Sequence, residues 1–210
     1  MLETALWDGD PEQAETAAAS LLEAGIEPLA LVQHILVPTM TRVGEEFQCD
    51  NIFLPELMMA GEAALRVANL VEKATLKAGK TSATLGAVVI GQAQGDMHDI
   101  GRNIVSTMLL AHGFKVIDLG RDVPASAFLE AAQREKASLV GISALMTTTL
   151  PTARRTINLF KEVNLQGGLK IVVGGGAASA EWAEQVGADG YAPDAASAVV
   201  LCKRLLEQPG

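Results

Sequence analysis

From residue 85 onward the chain repeats one unit: a short, unbroken apolar run, then a loop of small or polar residues, then a stretch with helical spacing. The runs lie at 85–90, 116–119, 139–142, 171–173 and 190–192. Apolar residues that do not alternate with polar ones mark strands buried on both faces, and helices between such strands make the sheet parallel and cover both its sides. Ligands of these sheets bind beyond the carboxyl ends of the strands, close to the point where the strand order reverses. The loops after the first, third and fourth runs are therefore the places to look for chemistry.

Residues 1–77 carry a different pattern, with helices punctuated by Gly and Pro. Asp8-Gly9-Asp10-Pro11 sets an acidic cap and a first-turn proline at one helix start, and Gly25-Ile26-Glu27-Pro28 ends that helix and opens the next. Leu29, Val32, Ile35 and Leu36 follow at helical spacing, and Pro38 is expected to bend the helix before it runs on to Phe47. After the loop Gln48-Cys49-Asp50-Asn51, Pro55 opens a helix with an apolar stripe of Leu57, Met58, Ala64, Leu65, Ala68 and Val71. The expected fold is α/β: an N-terminal four-helix bundle over 1–77, a linker at 78–82, and a Rossmann-like (flavodoxin-like) five-stranded parallel sheet over 83–210.

With 49% apolar residues, the 210-residue chain can bury a sizeable core. A net charge of −9 without a basic block argues against a nucleic-acid partner. No apolar run approaches the roughly 20 residues of a membrane-spanning helix, and the first residues lack the pattern of a signal peptide, so the expected location is cytoplasmic. Cys49 and Cys202 are far apart in sequence and lack metal-ligand spacing, which reads as two reduced thiols.

The loop after the first strand is Gly95-Asp96-Met97-His98-Asp99-Ile100-Gly101. It puts an imidazole two residues after a carboxylate that could bond one ring nitrogen and leave the other for a metal. On spacing alone a solvated Asp/His loop is an equal alternative. The loop after the third strand, Ser143-Ala144-Leu145-Met146-Thr147-Thr148-Thr149, presents four hydroxyls, more than helix capping needs. After the fourth strand, Gly174-Gly175-Gly176 would let a large group lie against the backbone. The Lys-Ser/Thr pair of a phosphate-binding loop and the spaced glycines of a dinucleotide fingerprint are both missing. His34 and His112 stand on apolar helical stretches and read as structural.

Asp96-x-His98-x-x-Gly101, Ser143-x-Leu145 and Gly174-Gly175, in this order, resemble the signature of cobalamin-binding domains of the methionine-synthase type. Val43-Gly44-Glu45-Glu46-Phe47, Ile52-Phe53-Leu54-Pro55-Glu56-Leu57 and Asp118-Leu119-Gly120-Arg121-Asp122-Val123-Pro124 are similar to segments of methyl-carrying corrinoid proteins with a helical cap. The resemblance spans nearly the whole chain, as far as Gly190-Tyr191-Ala192-Pro193-Asp194-Ala195.

The resemblance implies a corrinoid cofactor, methylcobalamin in its methylated form, with His98 as lower axial ligand to cobalt in place of the detached dimethylbenzimidazole base. Asp96 would orient His98, and Thr149, where the methionine-synthase pattern has serine, would complete a relay coupling cobalt state to proton uptake. Ser143 would bond the detached base, with Thr147 beside it. Gly95, Met97, Asp99, Ile100, Leu145 and Met146 would line the cofactor. Gly101, Gly174, Gly175 and Gly176 would admit its nucleotide tail, and Tyr191, Ala192 and Asp194 would close the far end. Phe53, Leu57 and Met58 would cover the methyl group, although Leu57 and Met58 read equally well as bundle core. The cap would move aside when a partner docks, with residues 77–82 as hinge.

With no cluster able to activate a donor, the chain is expected to be a carrier rather than a complete enzyme. It would serve one-carbon metabolism with a substrate-specific methyltransferase, an acceptor methyltransferase using tetrahydrofolate or a thiol, and a corrinoid reductive activase. The alternative from another class is a cobalamin-dependent sensor or transcriptional regulator. Against it, the Trp and Glu-His pair of such caps has no counterpart here beyond Trp7. A radical mutase subunit and a flavodoxin-like signalling domain explain the loops less well.

Overall fold

The computed structural model describes residues 1–77, 84–163 and 168–207. The linker expected at 78–82 lies outside them. The chain divides into two compact units, Met1–Leu85 with Thr107–Phe114, and Gly86–Ser106 with Lys115–Gly210.

The first unit contains α1 (Leu2–Trp7), α2 (Pro11–Glu23), α3 (Pro28–Leu31), α4 (Val37–Gln48) and α5 (Leu54–Lys77). Because α3 and α4 are joined by a π-helical segment, Val32–Leu36, these make four rods. Asp10 caps α2 as its sequence suggests, its carboxylate accepting from Gln13 N at 2.9 Å. The π segment ends two residues before Pro38, which has no N–H to donate and whose ring crowds the carbonyl four residues back. The chain absorbs this defect by widening one turn, with Val37 N bonding Val32 O across five residues. Packing of α2 on α5 brings Ala14, Ala17 and Ala18 into the same buried layer as Ala60, Ala63, Ala64, Val67 and Val71; small side chains let the two helices approach closely.

In the second unit, β1 (Ala87–Gln92), β2 (Lys115–Asp118), β3 (Leu139–Ser143), β4 (Lys170–Gly174) and β5 (Gly190–Ala192) form one parallel sheet in the order β2-β1-β3-β4-β5. The helices are α6 (Ile100–Ala111), α7 (Ala125–Glu135), α8 (Leu150–Val163), α9 (Ala180–Val186) and α10 (Ala195–Glu207). The residues of α6 from Thr107 onward belong with the helical unit. The sheet order reverses at β1, which sits between β2 and β3, so the crevice for a ligand opens over the carboxyl ends of β1 and β3. β1 begins two residues later than its apolar run and extends through Gly91 and Gln92, because pairing with Ile142 and Ser143 of β3 continues past the last apolar side chain. Val89, Val140, Ile142, Ile171 and Val173 cover one sheet face against Phe128, Ile157, Phe160 and Val186.

Cys49 and Cys202 are both free; burial pushes the Cys202 thiol up to about 12, whereas Cys49 is exposed. Among the described residues no helix is long and apolar enough to cross a membrane. Phe128 is fully buried and its ring meets Gly91 of β1. Phe128→Ala is expected to destabilise this unit by about 3–5 kcal/mol, read as a lowered midpoint in urea unfolding.

Candidate cofactor site

The loop between β1 and α6 turns at Gly95, whose φ of +88° suits glycine, and Asp96 N closes the turn onto Ala93 O at 2.9 Å. Asp96 then points inward and is 0% exposed. A carboxylate out of water has to find its donors within the protein. His98 N and His98 Nδ1 lie 3.1 and 2.8 Å from Oδ1, and Leu145 N and Thr149 Oγ1 lie 2.7 and 3.1 Å from Oδ2. Burial raises the Asp96 pKa, but the Leu145 N–H, the His98 ring and N–H, and the Gln92 amide together outweigh it and hold the group at about 2, below its ordinary 3.8.

A carboxylate bonded to Nδ1 fixes the tautomer with hydrogen on that nitrogen, so the Nε2 lone pair is left for a metal. The His98 side chain is 52% exposed. Three apolar side chains are exposed on the adjoining segments: Met97 next to it in the loop, Ile100 at the start of α6, and Leu145, whose N–H bonds Asp96. Thr149 ends a 3-10 turn, Thr147–Thr149, and its hydroxyl lies 2.8 Å from Met146 O as well as near Asp96.

After β4, the Gly174–Gly176 segment passes close to the β3 loop. A Cβ at Gly175 would stand 2.4 Å from Ala144 O, so no larger residue fits, and Ala144 N bonds Gly174 O at 3.0 Å. Ser143 is half-buried at the end of β3, in register between Gln92 and Gly174. Parallel register puts those three positions on one sheet face, with only a hydrogen atom at the third. Gly101 has open space where a Cβ would stand.

The structure thus brings together Asp96, His98, Leu145, Met146 and Thr149, with Met97 and Ile100 beside them. Thr147 is exposed, and Asp99 pairs with Arg121 at 3.5 Å. Asp194 caps α10 through Ser197 N at 2.7 Å, while Tyr191 and Ala192 end β5 at the sheet edge. Phe53, Leu57 and Met58 lie in the helical unit, where Phe53 is 65% exposed, Met58 is partly exposed and Leu57 is fully buried. Sequence reasoning overlooked Gln92, 1% exposed at the end of β1 and contributing to the low pKa of Asp96. A glutamine closing an apolar run was its signal. Arg102, also overlooked, is buried against Asp118 and Asn103.

These features suit a large ring-shaped metal cofactor. One imidazole nitrogen is available, exposed apolar side chains lie on the adjoining segments, and the loop after β4 is bare backbone at Gly174–Gly176. Among the described residues no group of three or more His, Cys, Asp or Glu could hold a metal without such a ring. Fold and site together define a cobalamin-binding domain.

The comparisons give the family. Two models, each described as a B12 binding domain, match residues 86–200 and 1–72. Dimethylamine corrinoid protein 2 of Methanosarcina mazei is 43% identical over 93% of this chain and 91% of its own length. Trimethylamine corrinoid protein 1 of the same organism is 38% identical over 96% and 94%. The crystal structure of the methanol:cobalamin methyltransferase complex MtaBC from Methanosarcina barkeri matches with a TM-score of 0.84 and 33% identity, over 99% of this chain and 79% of that one. The chain belongs to the B12-binding corrinoid proteins of methyltransferase systems, and its cofactor is a corrinoid.

The low pKa of Asp96 has a consequence for stability. A carboxyl whose folded pKa lies below its unfolded value stabilises the fold above the unfolded pKa, and that contribution fades as pH falls through the folded one. The cofactor-free chain is expected to lose about 2 kcal/mol between pH ~4 and pH ~2 on account of Asp96. Urea unfolding across that range should fall less steeply for Asp96→Asn than for the wild type.

Proposed function

We propose that this chain carries a methyl group on cobalt with His98 as the lower axial ligand, taking it from a methylamine through one methyltransferase and giving it to tetrahydrofolate through a second. The observation that carries the reading is the 2.8 Å contact between His98 Nδ1 and a buried, ionised Asp96, which leaves Nε2 as the free nitrogen of a half-exposed ring. When bound, a corrinoid supplies a cobalt centre that can accept and release a methyl group, chemistry no side chain offers.

Asp96 makes Nε2 a better donor to a metal and keeps the ring from rotating. Thr149 Oγ1 lies 3.1 Å from Oδ2 and 2.8 Å from Met146 O, so its single hydroxyl hydrogen can go to either. With Asp96 held ionised, a proton entering the relay is proposed to rest on the His98 ring, where the carboxylate offsets its charge. Ser143, with the glycines of the β4 loop, is proposed to receive the detached nucleotide base.

A methylamine donor is supported by the names of relatives such as the dimethylamine and trimethylamine corrinoid proteins. A methyltransferase partner is supported by the likeness to the methanol:cobalamin methyltransferase complex MtaBC, and a reductive activase is proposed because a reduced cobalt is open to oxidation. Tetrahydrofolate, with a thiol as the alternative, is the acceptor that the resemblance to methyl-carrying corrinoid proteins suggests.

The test is reconstitution with hydroxocobalamin followed by visible spectroscopy and cobalt analysis. Wild type should retain about one cobalt per chain in a base-off, histidine-ligated form, and His98→Ala should lose that ligation; a colourless wild-type chain would sink the reading. After reduction, methylation of the loaded chain should proceed with a Methanosarcina dimethylamine methyltransferase and not with the methanol enzyme. The reverse result would reassign the donor.

A further inference from the structure

The loop that carries His98 is gripped from outside by a residue with no place in the relay. Asp122 lies between β2 and α7, and its N–H donates to Asp96 O at 3.1 Å while its Oδ1 accepts from Gly95 N at 2.7 Å. The two bonds bracket a single peptide, the one joining Gly95 to Asp96. Fixing that peptide fixes the direction in which the Asp96 side chain leaves the backbone, and hence the approach of its carboxylate to His98 and Leu145.

Asp122 achieves this in an unusual conformation. Its φ is +53°, in the left-handed region that a non-glycine residue enters at a cost and that Asp and Asn tolerate best. In this conformation both its N–H and its carboxylate face the same short segment. The surroundings reinforce the placement: Gln92 N bonds Gly120 O at 2.9 Å, Val123 N bonds Gln92 O at 3.0 Å, and Ala93 bridges Val123. Arg121 stands 3.5 Å from Asp99 on the same loop. These contacts align the two loops, and Asp96 N closes onto Ala93 O within its own loop, but among the described residues Asp122 is the one from outside that loop that bonds on both sides of the Gly95–Asp96 peptide.

We infer that Asp122 is a positioning residue for the axial histidine, a clamp on the Gly95–Asp96 peptide that holds Asp96 in register with His98. The inference rests on the reading of His98 as cobalt ligand. It needs an acceptor oxygen and tolerance of a positive φ at position 122, and it does not need the charge. Three variants separate these requirements. Asp122→Asn keeps both, Asp122→Gly keeps the backbone freedom and loses the acceptor, and Asp122→Ala loses both.

The full chain would be loaded with cobalamin, reduced to Co(II), and examined by electron paramagnetic resonance for the splitting that an axial imidazole nitrogen adds, with His98→Ala as the unligated reference. Asp122→Asn should match the wild type. Asp122→Gly should bind cobalamin and melt near the wild-type temperature, yet show a ratio of ligated to unligated cobalt lower by about tenfold, the scale expected when a group supporting a metal ligand is lost. Asp122→Ala should do no better. An Asp122→Gly variant ligated like the wild type would overturn the inference, as would an Asp122→Asn variant that folds but loses ligation. A grossly unfolded Asp122→Gly would overturn it too, since the clamp would then hold the fold rather than the ligand. If the wild type itself shows no nitrogen on cobalt, the reading of His98 has failed and the inference falls with it; ligation in both wild type and Asp122→Gly removes the inference alone.

Discussion

A carboxylate with no exposed surface organises the sheet unit. Removing Asp96 from water would be prohibitive if its oxygens went unpaired. Four donors from two loops converge on it, two from its own and two from the loop 49 to 53 residues further along the chain, and the Gln92 amide adds to them. The demand propagates. Leu145 must direct its N–H at Oδ2, which fixes the backbone of Ala144; Ala144 then crowds Gly175 and accepts from Ala177 N, so the loop after β4 has to pass without a side chain. Three strand-end loops are thus layered on one buried charge, and the free edge of His98 is where that layering leaves a nitrogen uncommitted.

Much of this was legible in the sequence because it is periodic. Unbroken apolar runs announce strands buried on both faces, and β5 falls on the run at 190–192. The capped start of α2 follows from Asp10 and Pro11, whose chemistry is local. What periodicity misses is pairing and partnership. β1 runs on through Gly91 and Gln92 because β3 lies alongside, a fact that no property of those two residues contains. The helical spacing of 101–112 places a helix but does not say which body its residues pack with, and Thr107–Phe114 belong with the helical unit. Pro38 signals trouble in a helix without saying whether the chain will kink or widen a turn.

The site shows the same division. The loop motifs point to Asp96 and His98, which are two residues apart and bonded directly. Thr149 came from the resemblance, since nothing in a run of three threonines tells which will turn inward; the 3-10 turn buries Thr149 and leaves Thr147 and Thr148 exposed. Asp122 could be quoted as part of a motif, but its hold on the Gly95–Asp96 peptide depends on a left-handed backbone that the sequence does not display. Gln92 reads as the end of a strand until its neighbour is known to be a buried carboxylate.

The arrangement also separates binding from choice of substrate. Met97, Ile100 and Leu145 present apolar surface to water, which at about 25 cal/mol per Å² is free energy withheld from folding and available to a ligand with an apolar face. Two polar groups of the relay beside them are already engaged: Asp96 with His98, Leu145 and Thr149, and Thr149 with Met146 as well. Neither is left to recognise an amine or an alcohol. Under the proposed function, discrimination between one methyl donor and another would fall to the methyltransferase that presents it. That division would allow proteins similar along nearly their whole length to carry names as different as dimethylamine and trimethylamine corrinoid protein.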